Sequence, residues 1–151
     1  MIETVLCYIE YKNQYLMMFR NKKANDINKN KYIGIGGHIE PHENSDQALI
    51  REVKEETNIN LNQFKLMGKI YFHEVGTDEV MYLYRASIEE EVALPNCDEG
   101  TLVWVDINKL GSLPMWEGDK YFLDKIKDYN SPFFEMKVIY DNGRLVSIEE
   151  L

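Results

Sequence analysis

Short apolar runs separated by polar turns organise the chain. Thr4 to Ile9 and Tyr15 to Phe19 are rich in β-branched, aromatic and long apolar residues and read as strands. Tyr11-Lys12-Asn13-Gln14 between them reads as a turn, so the pair is a predicted hairpin. Asn21 to Lys31 is polar and rich in Asn and Lys, which predicts a loop. Tyr32 to Gly37 is short and Gly-rich. Ser45 to Thr57 lacks Gly and Pro and has Asn44 or Ser45 as a candidate N-cap, which predicts a helix. Phe64 to Val75 and Glu79 to Ala86 read as strands joined across Gly76-Thr77-Asp78, and Thr101 to Val105 as another. Glu117 to Tyr129 reads as a second helix, stopped by Asn130-Ser131-Pro132. Phe133 to Tyr140 and Leu145 to Glu149 flank Asp141-Asn142-Gly143, a strong hairpin signal. Many strands with two main helices predict a mixed sheet covered by helices.

Composition narrows the classes. The 151 residues fit one domain, and 44% hydrophobic content suffices for a core. The formal charge is −9, so general binding to duplex nucleic acid, which lives on counterion release, is disfavoured. An anionic ligand would need a divalent cation or a local basic patch to offset that charge. Cys7 and Cys97 form no CxxC pair, which argues against a zinc site or a disulfide scaffold. No run approaches the ~18 apolar residues of a membrane span, and Met-Ile-Glu-Thr-Val lacks a basic n-region. The expectation is a cytoplasmic protein with no membrane association and no evident protein partner.

Candidate chemistry lies between Gly37 and Ile59. At about 100° per residue, a helix brings Glu52, Glu55 and Glu56 together on one face as i, i+3 and i+4 neighbours. Ile50, Val53 and Thr57 fall on another face, suited to the core. Adjacent carboxylates repel, and a hard divalent cation such as Mg²⁺ or Mn²⁺ would reverse the sign. Arg51 can hold one carboxylate in place by a bidentate pair. The plain alternative is a solvated acidic face. The wider pattern decides against it. Gly37, five residues, Glu43, seven residues, then Arg51-Glu52-Val53-Lys54-Glu55-Glu56 and Ile59 resembles the Nudix box. A chance match in this length is rarer than about one in 10⁵. Asn58 stands where the family has a Gly just past the helix, and Asn is the next best residue there. His42 replaces the usual Gly before Glu43.

The resemblance implies an α/β (α+β) fold, a Nudix-type α/β/α sandwich with a mixed central sheet. It covers one domain, residues 1–151, with the box at 37–59. It implies hydrolysis of a phosphoric anhydride in a nucleotide, with Glu52, Glu55, Glu56 and the Gly37 carbonyl holding Mg²⁺ or Mn²⁺. Arg51 would orient the acids and Glu43 would support the loop. Many relatives add a downstream acid as a ligand or base, and Glu99 is the candidate, with an ordinary surface turn acid as the alternative. Glu89-Glu90-Glu91 reads as a solvated loop.

Beyond the box the chain is similar to the MutT-type branch, the 8-oxo-dGTP diphosphatases. Glu3 to Tyr8, Tyr32 to Gly37 and Leu113 to Phe122 carry that likeness. It implies that Thr4 and Ile35 line a base pocket, that Trp116 stacks on a purine and that Asp119 hydrogen-bonds the base edge. Trp116 as a core aromatic and Asp119 as a first-turn acid favoured by the helix dipole remain open alternatives. Ile33 takes the place of an Asn that contacts the base in the animal enzymes. Arg20 follows the second strand where similar enzymes place an Arg on a phosphate. The segment from Arg20 to Lys31 holds Arg20, Lys22, Lys23, Lys29 and Lys31 against Asp26 alone, so it can attract a triphosphate. The leading expectation is an Mg²⁺-dependent nucleoside triphosphate diphosphatase. Its reaction converts 8-oxo-dGTP to the monophosphate and pyrophosphate, which serves nucleotide-pool sanitation and DNA repair. The alternatives are hydrolysis of another nucleotide or an RNA 5′-triphosphate end, and a nucleotide-binding module without turnover.

Overall fold

Strand β1 (Ile2–Tyr11) organises the molecule because both of its edges are used along most of its length. The computed structural model describes residues Met1–Leu151. On one edge β1 pairs in parallel with β6 (Thr77–Ser87), from Ile2 opposite Glu79 to Glu10 opposite Ser87. Two strands divide the other edge. The end of β1 pairs with β2 (Gln14–Phe19), and Thr4 to Cys7 pair antiparallel with β4 (Ile35–His38). Beyond β6 come β5 (Gln63–Glu74), β8 (Phe134–Asp141) and β9 (Arg144–Glu150). Strand β2 also carries β3 (Tyr32–Ile33) and β7 (Thr101–Asp106). The sheet is mixed, since β1–β6 and β5–β8 are parallel and the other pairs antiparallel.

Strand alternation splits the core into two layers. Val5, Cys7 and Ile9 face helix α1 (Ser45–Thr57) and pack with Leu16, Met18, Ile35, Ala48, Leu49 and Val53. Tyr8, with Leu6 packed beside it, faces helix α2 (Asp119–Ile126) among Tyr15, Met17, Leu83, Phe122, Leu123 and Ile126. The sheet between two helices is the expected architecture. No helix is long and apolar enough to cross a membrane.

Local sequence explains the turns. Lys12 and Asn13 both have positive φ, as do Asn142 and Gly143, the geometry two-residue hairpins prefer. The β5–β6 turn is tighter than expected, with Glu74 opposite Thr77. Asn44 caps α1 through a capping box with Gln47, and Asn58 ends it in the left-handed conformation with its N–H on the Lys54 carbonyl, 3.0 Å away.

Three expectations change. Ile50 is 42% exposed, because Leu49, Val53 and Thr57 form the buried i, i+4, i+8 stripe one position away. The second helix is shorter than Glu117 to Tyr129. Arg85 donates to the Ile126 and Lys127 carbonyls at 2.7 and 2.8 Å and closes the helix there. A 3-10 turn, Ile107–Ser112, follows β7 where no element was expected.

Gly36 shows how tightly β4 lies on β1. A Cβ there would sit 1.8 Å from the Val5 carbonyl oxygen, whereas one on Gly111 would meet nothing within 4 Å. Gly36→Ala is expected to cost about 3 kcal/mol or more in urea unfolding. Gly111→Ala is expected to stay within about 0.5 kcal/mol.

Candidate active site

The loop after β4 folds back onto α1 through one guanidinium. Arg51 grips the Glu43 carboxylate with two bonds, Nε to Oε2 at 2.6 Å and Nη2 to Oε1 at 2.8 Å. Nη2 also donates to the His38 carbonyl at 3.0 Å, and Nη1 to Glu52 Oε1 at 2.9 Å. Glu43 Oε1 accepts from the Glu40 backbone N–H at 3.0 Å. Arg51 first, and the Glu40 N–H second, hold the Glu43 carboxyl down at about 2. Glu43 is thus a structural anion, and Arg51 ties the loop, the end of β4 and the helix together.

That clamp aims Glu52 at the backbone of β4. A Cβ on Gly37 would meet the Glu52 carboxyl carbon at 2.5 Å, so a side chain there would push the acid aside. Burial raises the Glu52 pKa, Arg51 opposes the rise, and the charges of Glu55 and Glu99 add to it. One helical turn on, burial pushes Glu56 up to about 8, and the charges of Glu52 and Glu99 push the same way. Arg20 and the Gly36 backbone N–H oppose that shift. Glu99 stands beside Arg20, with 3.7 Å between Nη1 and Oε2. The structure therefore gathers Glu52, Glu56, Glu99, Arg20 and the Gly36-Gly37 backbone into one electrostatic unit. Glu55 stands apart. Its side chain is 58% exposed, 3.4 Å from Arg51 Nη1.

Acids that raise one another's pKa by their charges, two of them half-buried, suit a hard divalent cation. The missing Cβ of Gly37 leaves the Glu52 carboxylate room against β4. Glu52, Glu56 and Glu99 offer hard oxygen donors of the kind Mg²⁺ or Mn²⁺ takes, and the Nudix resemblance adds the Gly37 carbonyl. Glu40, His42 and Glu43 also bring ligand atoms within 4.8 Å of one another on the loop. Glu43 is already committed to Arg51 there, and the other two are exposed.

The remaining expected residues lie toward α2. Thr4 alternates with Leu6 and Tyr8 on that face of β1 and donates to Glu79 Oε2 at 2.8 Å. Trp116 packs edge-on against Tyr140, 5.3 Å between ring centroids, and its Nε1 donates to Asn28 Oδ1 at 2.7 Å. The Lys31 ammonium lies over the indole, 4.7 Å from its centroid. Asp119 opens α2 and is only 9% exposed, and burial alone pushes its carboxyl up to about 8. Burial first, and then the charges of Asp119 and of ionised Tyr15, raise the Tyr8 hydroxyl well above its usual range. Ile35 does not join this group. It is 0% exposed in the α1-side core with Val5 and Leu49, so its side chain is a packing residue and not a pocket wall.

Three contributors carried no signal of their own. Asp26 binds Arg20 at 2.6 Å and accepts from the Asn28 N–H at 3.0 Å, so the lone acid of the basic segment fixes that loop. Asn28 reaches Trp116 across 88 positions of sequence. The Tyr8 hydroxyl is buried without a hydrogen-bond partner, and the Gly34 N–H lies near it outside normal bonding geometry.

A NUDIX domain model matches residues 2–126. The chain is 32% identical over 100 residues to the oxidized purine nucleoside triphosphate hydrolase of Danio rerio, covering 64% of this chain and 63% of that protein. It is 30% identical over 98 residues to an uncharacterized Nudix hydrolase of Bacillus subtilis, covering 62% of each. The matches thus span somewhat less than two thirds of these relatives. Among solved structures, a MutT protein from Bacillus halodurans superposes with a TM-score of 0.86 at 20% identity, over 99% of this chain and 97% of that one.

The raised Glu56 carboxyl has a stability signature. The native state holds this proton more tightly than the unfolded chain, whose carboxyl titrates near 4.5. Its contribution is therefore full below about 4.5 and is lost as pH rises through about 8. In chelator-treated protein, Glu56→Gln should match the parent near pH 4 and gain a progressively higher Tm toward pH 8. Mg²⁺ should raise the parent Tm more than that of the variant. A Tm difference independent of pH would show that Glu56 is not strained by its burial.

Proposed function

The chain belongs to the Nudix family, and from that premise we propose that it is a metal-dependent nucleoside triphosphate diphosphatase acting on oxidised purine nucleotides such as 8-oxo-dGTP. The observation that carries the reaction is the strained pair Glu52 and Glu56, backed by Glu99 and set against the Gly37 cradle. Water would add across a P–O–P linkage. Its oxygen bonds to phosphorus, the bond to the bridging oxygen breaks, and a proton leaves, giving the monophosphate and pyrophosphate.

Glu52, Glu56, Glu99 and the Gly37 carbonyl would hold a divalent cation such as Mg²⁺, which would supply Lewis-acid stabilisation of phosphate oxygens. The chain's own residues do the positioning. Arg51 holds Glu52 against β4, and Glu43 keeps Arg51 charged and oriented. Glu55 joins from the exposed edge as an outer ligand. Arg20, at the edge of the acid cluster, meets the polyphosphate. At the other end Trp116 offers an aromatic face to the base. Asp119, buried and without an ion pair, reads the base edge together with Thr4. A buried polar group discriminates strongly because an analogue that leaves it unpaired is penalised.

The substrate reading also draws on the Danio rerio relative, named for oxidized purine nucleoside triphosphates. Hydrolysis of a different nucleotide or of an RNA 5′-triphosphate end is the second reading, and Ile33 bears on neither, because it packs with Ile35 against the α1-side core.

Turnover of a panel with Mg²⁺, containing 8-oxo-dGTP, dGTP, CTP, ADP-ribose and 5′-triphosphorylated RNA, decides between them. 8-oxo-dGTP is expected to show the highest kcat/KM. Preference for the RNA would overturn the nucleotide-pool reading, and turnover of nothing would point to a binding module. Glu56→Gln should lower kcat at least about a hundredfold, while Glu90→Gln on its exposed loop should change little. Arg20→Glu should raise KM for the triphosphate about tenfold, and an unchanged KM would remove Arg20 from the phosphate contact.

A further inference from the structure

The indole of Trp116 is engaged from two sides by one segment. Asn28 accepts its N–H at 2.7 Å, and Lys31 lays its ammonium on the ring face, 4.7 Å from the centroid. The Asn28 carbonyl accepts from the Lys31 N–H at 3.0 Å, and the next residue, Tyr32, donates to the Pro114 carbonyl at 2.9 Å. The turn is thereby fastened beneath the tryptophan. The same turn is fastened to the acid cluster. Arg20 donates its backbone N–H to the Lys31 carbonyl at 3.0 Å and accepts from Asn30 at 2.7 Å. Lys31 therefore stands on the short stretch of backbone that joins the candidate base platform to the residue beside Glu99 and Glu56.

The charges of this segment are not equivalent. Arg20 is neutralised by Asp26 and flanked by Glu99, and Lys22 is tied to the Cys97 carbonyl at 2.7 Å. Lys31 rests on an aromatic face, an attraction that a stacked base outcompetes once the ring is claimed. A flexible stem then leaves its ammonium free to turn toward the neighbouring Arg20 edge, where an anion gains a charge-assisted contact.

We propose that Lys31 is a substrate-binding residue that couples the two ends of the site. It covers the Trp116 face while no base is present. Displaced by a purine, it passes its charge to the polyphosphate of the same nucleotide. This rests on the nucleotide reading above and adds to it a reason for preferring triphosphates. A base alone must displace Lys31 and receives nothing in return, whereas a nucleoside triphosphate recovers the displaced cation as a phosphate contact.

Opposite shifts for two ligands test it. Trp116 becomes the sole indole in a Trp104→Phe, Glu56→Gln background, where binding with Mg²⁺ is followed by fluorescence without turnover. Lys31→Ala is expected to weaken 8-oxo-dGTP about tenfold and to tighten the nucleoside 8-oxo-deoxyguanosine, because the indole is uncovered. Lys31→Arg should restore the triphosphate affinity. Without ligand, Lys31→Ala should change the Trp116 emission and Lys31→Arg should largely preserve it. Shifts of both ligands in the same direction, or an unchanged ratio of their Kd values, would overturn the coupling and leave the nucleotide reading standing. Failure of either ligand to perturb Trp116 before any change at Lys31 would remove the base platform, and both readings would fall together.

Discussion

Arg51 is where the geometry of the acid cluster is decided. Its guanidinium bonds at once to Glu43 on the loop, to the His38 carbonyl at the end of β4 and to Glu52 on its own helix. A planar fork can satisfy three partners only if the loop, the strand and the helix keep one relative placement. Helix α1 is already set by its buried stripe of Leu49, Val53 and Thr57, and β4 by its pairing with β1. Arg51 removes the last freedom, which is how the loop lies between them. Glu52 then has nowhere to go but over Gly37, in a space that any side chain there would fill.

Holding acids together in this way works against folding, and the strain is visible in which groups titrate abnormally. Glu43 is stabilised as an anion because it faces the guanidinium directly. Glu52 keeps part of that benefit through Nη1, while Glu56, a turn farther on, has only Arg20 and a backbone N–H against burial and two like charges. The gradient runs along one helix face and ends where a cation would sit. The net charge of −9 is therefore uneven in effect. Part of it is the acid cluster of α1 and Glu99, and a basic segment lies against that part through Arg20.

Sequence legibility follows the range of each interaction. The helix carrying Arg51, Glu52 and Glu56 could be read directly, because spacing along a helix is local and the caps Asn44 and Asn58 mark its ends. The hairpins at Lys12-Asn13 and Asn142-Gly143 were legible for the same reason. What escaped depends on distant partners. The MutT-type likeness put Ile35 in a base pocket, yet pairing with β1 turns it under α1. The early end of α2 depends on Arg85 from β6, and the pairing of Trp116 with Asn28 depends on a loop far away in sequence. Glu55 shares a helical face with Glu52 and Glu56 on a wheel, but its carboxylate reaches only toward Arg51 and its side chain stays 58% exposed.

Burial is the first cause of the raised pKa at both Asp119 and Glu56, and their neighbours differ in a way that bears on what each can do. At Glu56 the charges of Glu52 and Glu99 add to burial, so a cation would offset that part of the shift and favour the carboxylate. Asp119 is shifted by burial alone, without a neighbouring anion that a cation could neutralise. In the proposed base pocket its protonation would follow the polar edge placed against it. A base presenting donors would draw out the carboxylate, and one presenting acceptors would hold the neutral acid, which can itself donate. An oxidised purine exchanges donors and acceptors relative to its parent, and a carboxyl poised near neutrality responds to that exchange more sharply than one already committed to either charge state.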